Sequence, residues 1–331
     1  MTDANYAVAG IGNAIVDVVA HAEDDFIQKH GLEKGGMMLI DADQADQLYD
    51  EMGSSIESSG GSAANTMACL SSYGGSGLFV GKVRDDQLGR IFRHDMKGIG
   101  IDFHTPAAEE GPSTARCLVL VTPDAERTMN TYLGACIGLT PDDVKADEIA
   151  GAQVTYLEGY LWDPPQAKEA FLKASKIAHD NGRQVALSLS DRFCVDRHRD
   201  EFLDLVENHV DILFANEDEI KGLYNVDTFD DAFQHIRGHL QVAALTRGGK
   251  GSVVVTPEET HIVDAEAISR VVDTTGAGDA FAGGFLHGYT RGKDMSTCAR
   301  LGGLAAAEVI SHFGARPETP LSQIARENGL D

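Results

Sequence analysis

The sequence predicts an α/β fold in which helices cover both faces of a central, mostly parallel, Rossmann-like sheet, with a small β-rich lid attached. From about residue 150 onward, apolar strand segments alternate with helical segments, as in a parallel sheet that is buried on both faces. The first 135 residues contain more strands with hairpin-like spacing, such as "CLVLVTPDAERTMNTY" around a Pro-Asp turn. The 331 residues are therefore interpreted as a single domain, 1–331, whose lid is formed by about 13–49 and 104–135.

The individual elements follow from hydrophobic periodicity and from turn residues. The predicted strands are "YAVAGIG", "IVDVVAHA", "MMLID", "GLFVGKV", "ARCLVLVTP", "RTMNTYL", "QVTYLEGY", "QVALSLS", "VDILFAN", "VAALTRG", "GSVVVTP" and "THIVDA". The predicted helices are 62–73, 86–98, 166–180, 198–208, 217–223, 229–238, 278–290 and 296–312.

Composition and charge exclude several classes of function. The chain carries 52 acidic and 27 basic residues, a formal charge of −25, which repels nucleic-acid backbones and acidic lipid. The N-terminal segment "MTDANYAVAG" does not resemble a secretory signal, and the five scattered cysteines do not suggest disulfides or a zinc site. We expect a cytoplasmic protein without nucleic-acid or membrane partners. If it binds a nucleotide, backbone N–H groups, a metal ion and a few Arg or Lys residues must supply the positive potential.

The segment "DTTGAGDAFAGGF" is the most informative motif. Val271 and Val272 are expected to end a strand, and Thr274 or Thr275 to cap the helix that follows. The small residues before Asp279 leave N–H groups free at the positive end of that helix, where an anion binds readily.

These small residues are Gly276, Ala277 and Gly278. A carboxylate beside such an anion hole suits phosphoryl transfer, because Asp279 can accept the proton of the attacking hydroxyl. The small residues that follow keep the helix slim enough to pack against the sheet. The alternative is a glycine-rich capped turn without a catalytic role.

Two further segments suit a nucleotide and its metal. In "TRGGKGS", Thr246, Gly248 and Gly251 form a turn whose backbone can approach a nucleotide, although a plain hairpin has the same composition. Asn216 and Glu219 follow the apolar strand "VDILF", and oxygen side chains three residues apart suit Mg²⁺ held through waters and phosphates. The alternative for this pair is an acidic helix N-terminus favoured by the helix dipole.

Candidate acceptor-binding residues lie near the N-terminus. In "SSGGSAANTMACLSSYGG", Gly60 and Gly61 lead into a helix of small residues that could carry a polar ligand, with Asn65 available for a hydroxyl. Close helix–sheet packing would explain the same glycines. Asp17 lies in an otherwise apolar strand, where a buried carboxylate needs donors such as a pair of sugar hydroxyls. An edge position exposed to water is the alternative.

Together these segments resemble the ribokinase-like, or PfkB, family of carbohydrate and nucleoside kinases, from "AGIGNAIVD" to "GARP". The resemblance implies transfer from Mg·ATP to a hydroxymethyl group, with Asp279 as base, Gly276–Gly278 as anion hole and Mg²⁺ near Asn216 and Glu219. It also places Asn216 and the Thr246–Gly251 turn near ATP. The residues it places around the acceptor are Asn13, Asp17, Gly60, Gly61 and Asn65. Family members often bind K⁺; the candidates here are Asp273 and Thr275, with carbonyls near Val309 and Gly314.

The chain is most similar to the adenosine kinase branch, through "LSLSDRF", "VDILFANEDE" and "MMLIDADQADQLYDEM". Met38 and Ile40 are then expected to cover a base. Further apolar walls are Leu133, Tyr160 and Leu161. Ser188 departs from the family, which usually has Asn there, so a contact near the phosphates must be weaker or come from another group.

The resemblance therefore predicts phosphorylation of a nucleoside 5′-hydroxyl, with adenosine converted to AMP. A kinase acting on a free sugar such as ribose or fructose is the alternative, and a non-catalytic binding protein would not need Asp279. A dehydrogenase is disfavoured because Ile15 breaks the dinucleotide fingerprint in "GIGNAI". Arg127 in the lid is either a phosphate ligand or a solvated turn residue. The chain is expected to be a monomer or a homodimer formed through the lid.

Overall fold

The structure is a computed structural model that describes residues 4–124 and 126–330. Its strands are β1 (Tyr6–Ile11), β2 (Ile15–His21), β3 (Met37–Leu39), β4 (Ser55–Gly60), β5 (Gly77–Val80), β6 (Ile101–Asp102), β7 (Ala115–Val121), β8 (Arg127–Tyr132), β9 (Ala152–Glu158), β10 (Gln184–Ser188), β11 (Ile212–Asn216), β12 (Val242–Thr246), β13 (Ser252–Val255) and β14 (Thr260–Val263). Its helices are α1 (Asp24–Lys29), α2 (Ala42–Glu51), α3 (Ser62–Ser72), α4 (Gln87–Gly98), α5 (Ala146–Ala150), α6 (Pro165–Asp180), α7 (Arg192–Asn208), α8 (Glu217–Tyr224), α9 (Phe229–Ile236), α10 (Ala277–Thr290), α11 (Met295–Val309) and α12 (Leu321–Glu327).

The main sheet is mostly parallel, as predicted. Its strand order is β14-β13-β12-β11-β10-β9-β1-β5-β6, and the pairs from β12 to β6 are all parallel. Only β13 and β14 pair antiparallel at one edge. Strands such as "VTYL" in β9 are buried along their length because helices cover both faces of the sheet. The predicted α/β fold class is confirmed.

A second sheet has the order β3-β8-β7-β2-β4. It draws strands from both predicted lid segments, 13–49 and 104–135, and adds β4, which lies outside them. The predicted "CLVLVTPDAERTMNTY" hairpin forms the antiparallel pair β7–β8. Since β3 and β4 are the edge strands, a homodimer formed through this sheet would use one of them; the lid role and the dimer both stay predictions.

All eight predicted helices are present, but one starts earlier than predicted and four others were not predicted. The predicted helix 198–208 begins at Arg192 because the Asp191 carboxylate caps it, accepting from the Cys194 N–H at 2.6 Å. The helices α1, α5 and α12 are only 5 to 7 residues long, and α2 has a helical apolar spacing at Ala45, Leu48 and Tyr49 that the prediction overlooked. Among the described residues, none of the helices is both long and apolar enough to cross a membrane.

Helix α10 packs more closely against other helices than predicted. Phe285 lies against Phe214 of the main sheet, with ring centroids 5.5 Å apart. The glycines beside it face helices: a Cβ on Gly283 would lie 2.6 Å from the Thr66 carbonyl of α3, and one on Gly284 would lie 2.5 Å from the Leu301 carbonyl of α11. The small residues therefore serve two helix–helix contacts as well as the sheet. This packing fixes the start of α10 relative to the start of α3.

We expect two neighbouring glycines of α11 to respond differently to alanine. A Cβ on Gly302 would lie 2.7 Å from the Phe281 carbonyl, whereas one on Gly303 would meet only the Glu266 side chain at 3.5 Å. Gly302→Ala should lower the free energy of unfolding by about 1–3 kcal/mol through overpacking. Gly303→Ala, the matched control, should be neutral or slightly stabilising because alanine favours helix. Urea unfolding measures both, and equal effects would contradict this account of the packing.

Candidate active site

The candidate site lies at the carboxyl edge of the main sheet. The parallel strands β1, β9, β10, β11 and β12 end here, and register places Ser188 opposite Glu158 and Thr246 opposite Asn216. Helices α3 and α10 also begin here, and their first turns meet where Ser62 of α3 contacts Asp279 of α10. Ligands of open α/β sheets bind at such an edge.

Helix α10 begins with a glycine in the left-handed region. Gly276 is the N-cap with φ +77°, and the Ala280 N–H donates to its carbonyl at 2.8 Å. The amides of Ala277, Gly278 and Asp279 precede this bond at the positive end of the helix, and that of Ala277 already donates to the Thr274 carbonyl at 3.2 Å. A Cβ on Gly278 would meet nothing within 4 Å, so this residue leaves open space rather than room for protein packing. The helix start offers amides to an approaching anion.

Two details of this segment differ from the sequence prediction. Val271 and Val272 do not end a strand; the Val272 N–H instead donates to the Ile310 carbonyl at 2.8 Å. Neither Thr274 nor Thr275 caps α10 with its side chain, because the left-handed turn at the N-cap replaces that bond. The strand and the threonine cap were wrong predictions.

Asp279 is held by two side chains of α3. The Ser62 hydroxyl donates to Oδ1 at 2.6 Å, and the Asn65 amide Nδ2 lies 3.4 Å from Oδ2. Burial raises the pKa of Asp279 to about 6, although both contacts act in the opposite direction. The carboxylate is thus ionised at neutral pH and more basic than an ordinary aspartate.

Glu158, at the end of β9, joins three parts of the site and was not predicted. Its Oε1 accepts from the Asn13 side-chain amide at 2.7 Å, and its Oε2 accepts from the Ala63 N–H at 2.7 Å. It is 1% exposed, and burial raises its pKa to about 7 against the effect of these hydrogen bonds. A Cβ on Gly12 would lie 2.3 Å from Oε2, so residue 12 must be glycine for this arrangement.

The predicted residues Asn13 and Gly61 lie beside one another. Asn13 is buried, and its Oδ1 has no partner among the described residues. Gly61 has φ +93°, and a Cβ there would lie 2.3 Å from the Asn13 carbonyl. The close approach of β1 and α3 explains this glycine.

Asp17 lies on β2, an interior strand between β7 and β4, so the alternative of an edge position is wrong. Burial raises its pKa to about 6, while the positive charges of Arg316 and Arg127 act to lower it. A Cβ on Gly60 would lie 2.3 Å from Oδ2 of Asp17. The glycine therefore gives the carboxylate its space.

The residues predicted to form apolar walls of the pocket differ in their burial. Ile40 belongs to a buried core cluster, and Met38 packs against the same cluster. Leu161 is 1% exposed and is a core residue rather than a pocket wall. Leu133 is half-buried just before a 3₁₀ turn, and the Tyr160 hydroxyl donates to the Ser190 carbonyl at 3.3 Å. A base-binding role stays a prediction for Met38, Ile40 and Leu133.

The predicted nucleotide turn follows β12. Gly248 is exposed with φ +55°, and a Cβ there would meet nothing within 4 Å. Gly251 has a packing role instead, because a Cβ would lie 2.0 Å from the Val263 carbonyl. Thr246 ends the strand, and next to it Arg247 pairs with Glu217 at 3.0 Å. The part of this turn open to a ligand is therefore its first half.

Asn216 and Glu219 form a capping box at the start of α8. Asn216 Oδ1 accepts from the Asp218 and Glu219 N–H groups at 2.9 Å, and Glu219 Oε2 accepts from the Asn216 N–H at 2.9 Å. Burial raises the pKa of Glu219 to about 7. Within residues 4–124 and 126–330, no three His, Cys, Asp or Glu side chains group to hold a metal. The Asn216 side-chain amide also donates to Oε1 of Glu219, so the two side chains satisfy one another as a helix cap, and Mg²⁺ can be reached from them only through water and phosphates.

Asp273, the acidic residue among those predicted for K⁺, pairs with a guanidinium instead. Arg127 of β8 forms an ion pair with Oδ2 of Asp273, and both side chains are largely buried. The Thr275 and Gly314 N–H groups donate to Asp273 at 3.0 and 3.2 Å. Burial alone would raise the pKa of Asp273, but the hydrogen bonds from Thr275 and the Arg127 charge hold it below its ordinary value.

Val309, the last residue of α11, is buried. With Asp273 already paired to a cation and two amides, the donor set does not fit K⁺ in this structure. The alternative of a solvated Arg127 is also wrong.

Comparison with known proteins is consistent with this site. Residues 32–321 match the model of the pfkB family carbohydrate kinases. A crystal structure of a probable sugar kinase protein from Rhizobium etli CFN 42 is 49% identical with a TM-score of 0.92, covering 99% of this chain and 100% of that one. The adenosine kinase of Sinorhizobium meliloti is 50% identical with a TM-score of 0.91, covering 98% and 100%. The adenosine kinase of Saccharomyces cerevisiae is 28% identical, covering 95% and 97%.

The chain belongs to the pfkB family. It is a phosphotransferase that acts on an alcohol group, as the predicted resemblance implied. In this pfkB kinase, the fold brings together Asp279, Asn65, Gly61, Asn13 and Asp17 from segments spread over the chain.

Three contributors to the site were not assigned roles from the sequence. Ser62 and Glu158 contact Asp279 and Asn13, and Arg316 donates to Asn65 at 3.3 Å. The signal for Glu158 was present, because an acidic residue ends the apolar strand "VTYLE". Arg316 gave no comparable signal, since its partner lies 251 residues away.

We expect Glu158 to make the stability of the ligand-free kinase fall as pH rises. Its pKa is about 7 in the folded protein against an ordinary value of 4.5, so between these values the folded state binds more protons than the unfolded chain. The free energy of unfolding therefore decreases with pH in this window, by up to about 3 kcal/mol for this group.

Denaturant unfolding of wild type and Glu158→Gln from pH 5 to pH 8 measures this effect. The stability of wild type relative to the variant should decline across the series. Glu258→Gln, at an exposed position, is the matched control for loss of one carboxylate. A constant difference between wild type and Glu158→Gln would contradict the prediction.

Proposed function

We propose that this pfkB kinase transfers the γ-phosphoryl group of ATP to the 5′-hydroxyl of a nucleoside, with adenosine as acceptor and AMP as product. The observation that carries the proposal is the Asp279 carboxylate set among the open amides at the start of α10. The adenosine acceptor is supported by the full-length similarity to the Sinorhizobium meliloti adenosine kinase.

Asp279 would act as the general base. A carboxylate with a pKa near 6 is ionised at neutral pH and still basic enough to accept the proton of a hydroxyl during attack. The Ser62 contact at 2.6 Å fixes one oxygen, so the carboxylate does not need to reorient before it reacts. The proton passes from the acceptor hydroxyl to Asp279 as the new O–P bond forms.

The amides of Gly276 and Gly278 would stabilise the charge of the transferring group, and that of Ala277 would join them by leaving the Thr274 carbonyl. They sit at the positive end of α10, and the absence of a side chain on Gly278 leaves space for the phosphoryl oxygens. This matters in a chain with a net charge of −25, which must create a local anion site within an acidic surface. Thr246 and Gly248 would approach the nucleotide from the neighbouring turn.

Asn216 and Glu219 would hold Mg²⁺ through its water shell. When bound with ATP, the ion supplies positive charge that neutralises the phosphates. The capping box keeps both side chains at the edge of the sheet, since Asn216 accepts two N–H bonds and Glu219 accepts a third.

The acceptor would lie between the main sheet and the second sheet. Asp17 on β2 and Asn13 after β1 would receive the sugar hydroxyls, since one presents a carboxylate and the other an unpartnered amide oxygen. Met38, Ile40 and Leu133 would border the base. We propose that the second sheet closes as a lid and excludes water, which limits ATP hydrolysis.

Asp279→Asn should lower kcat by a factor of about 100 or more, the scale of a lost general base. An amide keeps the shape and the Ser62 contact but cannot accept the proton. ADP release from Mg·ATP in the presence of adenosine measures the effect. Asp230→Asn, in the exposed first turn of α9, is the matched control and should retain activity. Near-wild-type turnover of Asp279→Asn would refute the assignment.

The second candidate is a kinase acting on a free sugar, favoured by the 49% identity to the probable sugar kinase from Rhizobium etli. Both candidates use the same base and anion hole, so only the acceptor distinguishes them. ADP release should be compared for adenosine, guanosine, ribose and fructose at matched concentrations. We expect kcat/KM to be highest for adenosine, by on the order of 100-fold over a bare sugar, because the base adds buried contact area. Preference for ribose or fructose would replace the proposed acceptor and leave the base in place.

A further inference from the structure

Arg316 is a half-buried arginine that reaches the site from the segment between α11 and α12. Its Nε donates to Oδ1 of Asn65 at 3.3 Å, and its Nη1 donates to the Ser59 hydroxyl at 2.7 Å. The contacts lie on α3 and β4, so one guanidinium bridges a helix of the main domain and a strand of the second sheet. The planar fork of arginine can make both bonds at once, which the single ammonium of lysine cannot do in the same geometry.

The contact to Asn65 fixes the direction of its amide. With Oδ1 accepting from Arg316, Nδ2 faces Oδ2 of Asp279 at 3.4 Å. If the amide turned over, its oxygen would face the carboxylate and its NH₂ group would face the guanidinium. The Asn65 oxygen would then face another acceptor and its NH₂ group another donor, so neither hydrogen bond could form. The arginine therefore selects the orientation in which Asn65 donates to Asp279.

We propose that Arg316 is a positioning residue for phosphoryl transfer, acting on Asp279 through Asn65. This inference rests on the proposed role of Asp279 as the base. Arg316 does not contact Asp279 in the described structure; it holds the residue that does. Ser62 fixes the other carboxylate oxygen, so Arg316 and Asn65 complete a two-point support of the base.

A purely electrostatic role is the competing explanation. The charge of Arg316 acts on Asp17, and its Nη2 is buried without a partner among the described residues. If Arg316 served only as a charge, or only as an acceptor ligand through Nη2, a lysine would supply much of the same effect. The two explanations therefore differ in what Arg316→Lys does and in which kinetic constant changes.

The test is a double-mutant cycle of Arg316→Ala and Asn65→Ala, assayed by ADP release with adenosine. Arg316→Ala should lower kcat on the order of 10-fold, the scale of a misplaced catalytic group, with little change in the KM for ATP. The double variant should be no slower than Asn65→Ala alone, because the arginine acts through the asparagine. Arg316→Lys should resemble Arg316→Ala. Arg326→Ala, at an exposed position of α12, is the control.

Three results would overturn the proposal: additive losses in the cycle, recovery of kcat by Arg316→Lys, or a change confined to the acceptor KM. A second readout does not need turnover. In protein labelled with ¹⁵N-asparagine, the Asn65 NH₂ signal, assigned by its loss in Asn65→Asp, should exchange slowly in wild type and faster in both Arg316 variants. An unchanged signal in folded Arg316→Ala would also overturn it.

These experiments distinguish failure of the proposed function from failure of the proposed positioning role of Arg316. A wild-type protein that phosphorylates no acceptor would refute the proposed function, while the amide signal would still test the contact. Active wild type with an unaffected Arg316→Ala would refute only the positioning role.

Discussion

The site depends on the hydrogen bonds that the buried carboxylate of Glu158 accepts. It links the end of β9 to Asn13 after β1 and to the first turn of α3 through the Ala63 N–H. An unpaired carboxylate in this position would be costly, so the carboxylate requires its three donors, which are the Asn13 side-chain amide, the Asn13 N–H at 3.3 Å and the Ala63 N–H. Because Ser62 precedes Ala63 on the chain, the same bond sets the position from which Ser62 reaches Asp279. The position of Asp279 is thus set by a residue that does not contact it.

The site contains positively charged side chains although the chain as a whole is strongly acidic. The surface is strongly acidic, with a net charge of −25, yet the charges of two half-buried arginines act on Asp17. Arg127 comes from β8 and pairs with Asp273, and Arg316 comes from beyond α11 and binds Asn65. A guanidinium withdrawn from water needs acceptors, and here these are Asp273 before α10, Asn65 of α3 and Ser59 of β4. The site therefore obtains positive charge from two distant segments, each tied to a group at the edge of the site.

The sequence predicted the local features of this protein well and the long-range ones poorly. The parallel sheet, eight helices, the turn before Asp279 and the N-x-x-E pair follow from periodicity and spacing within short windows. The glycine cap at Gly276 was missed because a left-handed turn and a threonine cap fit the same residues. Glu158 and Arg316 act through partners 95 to 257 residues away, and no local pattern encodes such pairs. Their roles emerge only when β1, β9 and α3 are assembled.

Burial raises the pKa of Asp279, and it also raises the pKa of other carboxyl groups in the site. Burial raises the pKa values of Asp17, Glu158, Glu219 and Asp279 to between about 6 and 7. Each such group is less stable as an anion than it would be in water, so ionisation near neutral pH opposes folding. Donors that arrive with substrate, such as sugar hydroxyls at Asp17, would reduce that cost. Part of the binding free energy would therefore come from relieving the cost of these buried charges.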